Sequence, residues 1–209
     1  MNRSEIANVV SGDMSPEFEA RARDVGVVAW DIETNGLDWS INRIATCQLH
    51  VPNAGTEIVR IGRQRPDRLA DLLASQKVTK VFHHAPFDLR FMRYQWGTRP
   101  RAVACTKILA KIVRPGLDAK AYSLKPLADH FLDVELDKSQ QVSNWFANTL
   151  TDEQLTYAAK DVLYLVPLFE RLMVEAQTVG VADIVEATFA YLPTRIETDL
   201  RRCGDVFAY

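Results

Sequence analysis

The chain of 209 residues has few cysteines, no long apolar run and no excess of positive charge. Its three cysteines, Cys47, Cys105 and Cys203, are scattered and odd in number, which argues against a disulfide framework and a close zinc-binding pair. The sequence contains no apolar run near the ~20 residues that a membrane-spanning helix needs, and no basic-then-apolar leader opens it. These absences predict a cytoplasmic protein that does not contact a membrane.

The charge balance is slightly acidic, with a formal net charge of −2 and a pI of about 6.1. A general nucleic-acid binder usually carries a basic face, so this balance argues mildly against one. An enzyme that holds only a few phosphates, with metal ions supplying positive charge, is still compatible with it. The hydrophobic fraction of 47% is ordinary for a globular protein, and the length favours one domain.

The order of strand and helix signals predicts an α/β domain. The apolar run from Val25 to Glu33 predicts a central strand, and Asn35-Gly36 predicts a turn after it. Other strands are predicted at 43–51, 56–61 and 80–82, and helices near 86–96, 106–113 and 123–131. Ser15-Pro16 is typical of a helix start, and Thr151 with Gln154 predicts a capping box that opens the longest helix. Strands come first and helices later, which favours a mixed sheet.

Asp31 and Glu33 end the first predicted strand and are two residues apart, so their side chains share a face. Two carboxylates beside an apolar run would repel each other and lose solvation. A divalent cation relieves both penalties, and Mg²⁺ prefers carboxylate oxygen. The alternative is that both are solvated charges at a strand end, and the D-x-E pattern alone does not decide.

Two further acids occupy helices. Asp88 follows Pro86 in a predicted first turn, where acids are favoured by the helix dipole, so for this residue alone a capping charge is the favoured interpretation. Tyr157 and Asp161 are spaced i and i+4 and are therefore neighbours on one helix surface. Asp161 could equally belong to a solvated stripe beside Lys160.

Taken together, these residues form an ordered set: DIET at 31–34, HAPFD at 84–88 and YAAKD at 157–161. The set resembles the DEDD exonuclease superfamily in its tyrosine subgroup, which includes RNase D and the proofreading domain of family A DNA polymerases. The resemblance covers about residues 25 to 175. It implies an RNase H-like (DnaQ-like exonuclease) fold, in which a mixed β-sheet is flanked by helices.

Finer detail resembles RNase D relatives, and most closely their short single-domain group, nanoRNase C. The segments LDKSQQVSNW at 136–145 and CTKI at 105–108 carry this likeness. Two positions depart from the family pattern: His84 stands where an asparagine is frequent, and Asn144 stands where an acidic residue is usual. Neither is an expected metal ligand, so the departures concern substrate contacts and leave the reaction unaffected.

The resemblance also suggests a division of the chain. Residues 1–24 form an N-terminal extension, 25–176 the 3′-5′ exonuclease domain, and 177–209 a C-terminal helical tail of unknown role. RNase D proper carries helical RNA-binding domains after the nuclease, and about 35 residues after the last motif are too few for one. We therefore expect a preference for short single-stranded RNA.

The resemblance implies two-metal-ion hydrolysis with two divalent ions, Mg²⁺ or Mn²⁺. Asp31, Glu33 and Asp161 would hold one ion, Asp31 would bridge to the second, and Asp88 would reach the second through water. Tyr157 would orient the attacking water, and the product would be a nucleoside 5′-monophosphate. The catalytic set is therefore Asp31, Glu33, Asp88, Tyr157 and Asp161, of which the four acids are the metal ligands.

Substrate contacts are expected from residues near these motifs: Thr34, Leu37, His84, Lys138, Gln141 and Trp145. Leu37 could wedge against the last base or pack down as a turn residue. Lys138 could neutralise a phosphate or stay solvated, and Trp145 could shape the pocket or be a core residue.

The expected partner is a single-stranded RNA 3′ end, and the resemblance suggests a homo-oligomer. Two alternatives stay open: a DNA 3′-5′ exonuclease of the same superfamily, and an inactive nucleic-acid-binding domain. The presence of all four acids and Tyr157 argues against the inactive domain. A structural Mg²⁺ site would leave the tyrosine on the last helix unexplained.

Overall fold

The computed structural model describes residues 7–136 and 143–208. Its strands are β1 Asn8–Ser11, β2 Val27–Thr34, β3 Ile44–Val51, β4 Gly55–Arg60, β5 Thr79–Phe82 and β6 Val103–Cys105. Its helices are α1 Pro16–Val25, α2 Asp67–Ala74, α3 Ala85–Trp96, α4 Thr106–Val113, α5 Leu124–Leu132, α6 Asp152–Leu163, α7 Leu165–Thr178 and α8 Ala182–Leu200, with a 3₁₀ turn at Ala119–Tyr122.

The strands form one mixed sheet in the order β1-β4-β3-β2-β5-β6. Strand β3 is antiparallel to both of its neighbours, whereas the pairs β1–β4, β2–β5 and β5–β6 are parallel. The predicted α/β class with a mixed sheet is confirmed, and β2 is an interior strand as its apolar run predicts. Strands β1 and β6 are short, with four and three residues, and the sequence reading did not identify them.

Alternate side chains of β2 point to opposite faces of the sheet and pack in two different clusters. Val28, Trp30 and Ile32 are buried in the largest hydrophobic cluster, together with residues of α1, α2, α3 and α8. The intervening positions face the other side of the sheet, where Ala29 packs in a smaller cluster with residues of α7. Asp31 and Glu33 continue this second row, so the strand places both carboxylates on the face that α6 and α7 cover.

The helix that opens at Thr151 differs in length from the prediction. Its capping box with Gln154 is confirmed, but the helix ends at Leu163 and a new one begins at Leu165. Pro167 gives the reason, because its ring would clash with the carbonyl of the residue four positions earlier in a continuous helix. The longest helix of the described chain is instead α8, with 19 residues.

The segments outside the expected exonuclease boundaries are part of the same packed body. Leu192 and Ile196 of α8 lie in the largest core cluster, and Arg93 of α3 forms an ion pair with Glu197 at 2.6 Å. At the other end of the chain, β1 pairs with β4 along the sheet edge. None of the helices in the described ranges combines the length and the hydrophobicity that a membrane span needs.

Candidate active site

Three carboxylates lie close together near the C-terminal end of strand β2. Asp31 and Glu33 come from β2, and Asp161 comes from α6, which packs across β2, β3 and β4. One oxygen from each of the three side chains lies within 4.8 Å of the others. The sequence prediction that the D-x-E pair and the last motif share one site therefore corresponds to a real cluster.

Asp88 approaches the same place from the first turn of α3. It is 2% exposed, and within the described part of the chain its Oδ1 atom has no hydrogen-bond partner. Backbone N–H groups of Asp88 and Ile32 bond to its carboxyl group, so a capping role accounts for part of this side chain and leaves Oδ1 unexplained. A buried oxygen without a hydrogen-bond partner, beside other acids, is a ligand that a cation would bind.

The electrostatics of the cluster are unfavourable for four negative charges. Burial raises the pKa of Asp31 to about 8, with a further contribution from Asp161, while the Gln48 hydrogen bond acts in the opposite direction. Burial raises the pKa of Glu33 to about 10, helped by repulsion from Asp31 and Asp161. Burial and Asp31 hold the pKa of Asp88 well above its usual range. A bound divalent cation would restore the ionised forms.

These observations show that the donor set fits a hard divalent cation. Carboxylate oxygens are the ligands that Mg²⁺ prefers, and three of them converge at the distance given above. The acid cluster therefore has the geometry and the chemistry to hold a divalent cation.

Tyr157 lies one turn before Asp161 on α6 and lines the same cleft. Burial, followed by the negative charge of Asp161, raises the pKa of its hydroxyl above the usual range. The phenol therefore stays protonated at neutral pH and interacts through hydrogen bonds, one of which joins it to Asp161. Its ring packs against Trp145 with centroids 6.0 Å apart.

The cluster forms the floor of a cleft of about 720 Å³. One wall is the loop between β2 and β3, which carries Thr34, Gly36 and Leu37. Thr34 Oγ1 donates to the Gly36 carbonyl at 2.6 Å. A Cβ atom at position 36 would come within 2.5 Å of the Asn42 side chain, so a larger residue there would have to displace the amide of Asn42. Leu37 projects from the loop and is 83% exposed.

The opposite wall is the segment before α6. Trp145 is buried there, whereas the neighbouring Phe146 is 45% exposed, and both line the cleft. Arg60 of β4 holds this segment by donating to the carbonyls of Ala147 and Asn148 at 2.7 and 2.5 Å. Two exposed apolar side chains, Leu37 and Phe146, thus stand on the two walls.

Of the expected substrate contacts, Thr34, Leu37, His84 and Trp145 line the cleft, whereas Lys138 and Gln141 lie outside the described residues. His84 takes a left-handed backbone conformation, with φ of 70°, at the start of α3. Burial, and after it the positive charge of Lys107, lowers its pKa. His84 is therefore neutral near pH 7 and can offer a hydrogen bond but no charge.

Sequence reasoning missed several residues that line the cleft: His83, Phe87, Lys107, Ser123, Leu124, Ser143 and Phe146. Lys107 has the clearest available signal, because it lies in the CTKI segment that already resembled nanoRNase C. Ser123 precedes α5 and reaches the cleft only through the packing of that helix. No local pattern distinguishes it from any other helix-start serine.

Comparison with known families decides the assignment. A family model described as DNA_pol_A_exo1, a 3′-5′ exonuclease, matches residues 9–177. The chain belongs to this 3′-5′ exonuclease family. The match spans the four acids and Tyr157, so the clustered residues lie within the exonuclease domain.

Individual relatives agree with this family. Ribonuclease D of Haemophilus influenzae is 40% identical over 101 residues, which is 48% of this chain and 25% of that protein. Human exonuclease 3′-5′ domain-containing protein 2 is 30% identical over 168 residues, which is 77% of this chain and 27% of that protein. The chain thus matches only about a quarter of the length of these curated relatives.

Solved structures match over nearly the full length. Brucella melitensis NrnC has a TM-score of 0.90 and 34% identity, and the match covers 98% of this chain and 99% of that one. Other structures of the same protein contain bound Mg²⁺ or bound pGG. Escherichia coli RNase D, at 24% identity and a TM-score of 0.80, shares the fold. The RNase H-like exonuclease fold expected from the sequence is confirmed.

Proposed function

We propose that this protein is a divalent-metal-dependent 3′-5′ exoribonuclease that releases nucleoside 5′-monophosphates. The observation that carries the proposal is the convergence of Asp31, Glu33 and Asp161 within 4.8 Å, in a cleft that Asp88 and Tyr157 also line. The family match and the ribonuclease D relatives support the reaction class.

Each acid has a role that its position supports. Asp31, Glu33 and Asp161 would hold one cation, and Asp88, with its unpartnered buried oxygen, would help Asp31 to hold a second. When bound, such cations neutralise phosphate charge and make a water molecule more acidic. We propose Mg²⁺ or Mn²⁺, because both favour carboxylate oxygen.

We propose that the chain belongs to the tyrosine subgroup of the superfamily, because its last motif contains Tyr157. Its neutral phenol is not suited to remove a proton, since the pKa of its hydroxyl is raised. The hydroxyl instead orients the attacking water by a hydrogen bond, while its bond to Asp161 holds the ring in place. This role is one of positioning in the transition state.

We propose that the substrate is a short single-stranded RNA. The cleft of about 720 Å³ has the size of a pocket for a small ligand, and Leu37 and Phe146 offer apolar surfaces on which bases could pack. NrnC, which aligns with almost the entire chain, has been solved with pGG bound. The net charge of −2 does not suggest a basic surface along which a long RNA could bind.

DNA is the second candidate substrate, because the matching family model is named for a DNA polymerase exonuclease. The cytoplasmic location and a homo-oligomeric state stay predictions from the sequence and the resemblance. Neither changes the reaction proposed for the cleft.

The test is degradation of 5′-labelled RNA and DNA of two to twenty residues with Mg²⁺. We expect a descending ladder from RNA, rapid loss of the shortest species, and no reaction when the 3′ hydroxyl is blocked or EDTA is present. A labelled dinucleotide mixed with a long unstructured RNA at equal end concentration measures the length preference. Internal cuts, or shortening from the 5′ end, would overturn the proposal, and faster loss of DNA would favour the second candidate.

A further inference from the structure

Strand β3 buries two polar side chains in a mostly apolar sequence, IATCQLHV. Thr46 and Gln48 are both 0% exposed. Burying a hydroxyl or an amide is unfavourable unless hydrogen bonds replace those lost to water. The partners of these two groups therefore explain why the strand carries them.

The strand register places both residues against the D-x-E pair. Asp31 lies opposite Gln48, and Glu33 lies opposite Thr46 in the antiparallel pair β2–β3. Side chains directly opposite each other share a face of the sheet, as do alternate residues of one strand. The four residues consequently form one polar patch beneath the cleft.

The hydrogen bonds within this patch have a defined direction. Nε2 of Gln48 donates to Oδ2 of Asp31 at 2.5 Å, and Oγ1 of Thr46 donates to Oε1 of Gln48 at 3.2 Å. A carboxylate can only accept, so the amide must present its NH₂ group to Asp31. The Thr46 hydroxyl donates to the amide oxygen, so both ends of the buried amide are hydrogen-bonded when its NH₂ group faces Asp31.

We propose that Gln48 and Thr46 are positioning residues for the cation site. Gln48 holds one oxygen of Asp31 and so fixes the orientation in which this carboxylate meets the cation, and Thr46 holds the amide oxygen of Gln48. A neutral amide suits this task because it holds the carboxylate without cancelling its charge, whereas a lysine would compete with the cation. This inference rests on the proposed function, since it assigns Asp31 to a metal site.

The test measures Mg²⁺ binding by titration calorimetry in four variants: Gln48→Met, Thr46→Val, Thr46→Ser and Thr56→Val. Gln48→Met keeps the length of the side chain and removes the amide. We expect it to weaken binding by about 10- to 100-fold, the range for partners that orient metal ligands. Thr46→Val should weaken binding less, and Thr46→Ser, which keeps the hydroxyl, should recover most of the loss.

Thr56→Val is the matched control for Thr46→Val. Thr56 lies on the neighbouring strand β4 and bonds to His50 at 2.9 Å, away from the acids. The Thr56→Val variant should bind Mg²⁺ with the affinity of the wild type. The controls together separate the loss of one hydroxyl at the patch from the loss of one elsewhere in the sheet.

Turnover provides a second readout. The Mg²⁺ concentration for half-maximal turnover should rise in Gln48→Met by the same factor as the binding constant, with the KM for RNA at saturating Mg²⁺ unchanged. A merely structural role would lower the melting temperature without moving the Mg²⁺ dependence. Wild-type Mg²⁺ affinity in Gln48→Met, or in Thr46→Val where Gln48→Met does not fold, overturns this inference. A wild-type protein that binds no Mg²⁺ overturns the proposed function instead.

Discussion

Buried carboxylates occur in two regions of the molecule, and the two regions differ in the hydrogen bonds that these carboxylates accept. Glu57 on β4 is 1% exposed, and its two oxygens accept hydrogen bonds from the side chain of Asn8 and from both the backbone and the hydroxyl of Ser15, at 2.7–3.0 Å. Asp88 is 2% exposed, and one of its oxygens lacks a partner among the described residues.

The two regions differ in whether the polypeptide supplies the hydrogen-bond donors for the carboxylate. The polypeptide surrounds Glu57 with its own N–H and O–H groups, so this carboxylate ties β1 and the start of α1 to β4. At the cleft, Asp31, Glu33 and Asp161 face one another, and Gln48 is the side-chain donor that bonds Asp31. Burial alone therefore does not mark a functional acid. The two regions differ instead in Asp88, which has one buried oxygen without a hydrogen-bond partner among the described residues, and a ligand could bind there.

The largest expected effect is the loss of activity in Asp31→Asn. Removing a cation ligand should reduce RNA hydrolysis by at least about 10⁴-fold, the scale of losing a central catalytic group. The metal-free variant should unfold at the same temperature as the wild type or a higher one, because repulsion within the cluster falls. Labelled-RNA turnover and thermal unfolding measure the two effects. Turnover within tenfold of the wild type would contradict the metal assignment.

Tyr157→Phe should have the next largest effect. The variant loses one hydroxyl that orients water in the transition state, so turnover should fall by about 10²–10³-fold. Mg²⁺ affinity should be unchanged, since no cation ligand is removed. Single-turnover kinetics and calorimetry separate these outcomes. An unaltered rate would mean that the tyrosine only packs against Trp145.

Glu57→Gln tests the other side of the comparison. Its amide would direct N–H groups at donors that Asn8 and Ser15 already supply, so the free energy of unfolding should fall by about 1–3 kcal/mol. Mg²⁺ affinity should stay at the wild-type value. Chemical denaturation and calorimetry check both expectations. A loss of Mg²⁺ binding with unchanged stability would remove the distinction between the two regions.

The last expected effect is a pH dependence of the metal-free protein, of a size similar to that of Glu57→Gln. The pKa of Asp31 is raised from 3.8 to about 8, so the folded state binds more protons than the unfolded chain between these values. Stability should therefore fall as pH rises from about 4 to 8, on the order of 1 kcal/mol per pH unit. Denaturation at pH 5 and pH 8 measures it. Saturating Mg²⁺ should reduce the slope, and equal stability without metal would contradict the raised pKa.

Local patterns in the sequence determined the parts of the site that depend on neighbours along the chain. Apolar alternation places Asp31 and Glu33 on one strand face, and the capping box at Thr151 fixes the start of the helix that carries Tyr157 and Asp161. These features follow from backbone geometry, so residues within a few positions are enough to predict them. The order of the motifs then suggested the family.

The tertiary structure alone decided which distant groups meet. The pairing of Gln48 with Asp31 and the arrival of Phe146 at the cleft depend on strand order and helix packing. The meeting of Asp161 with Asp31 was expected only from the family resemblance, because no local pattern in the sequence connects them. Nothing near Gln48 in the sequence distinguishes it from other polar strand residues, because its partner belongs to another strand. Local periodicity records which face a side chain takes, whereas contact between faces depends on how the whole chain packs its core.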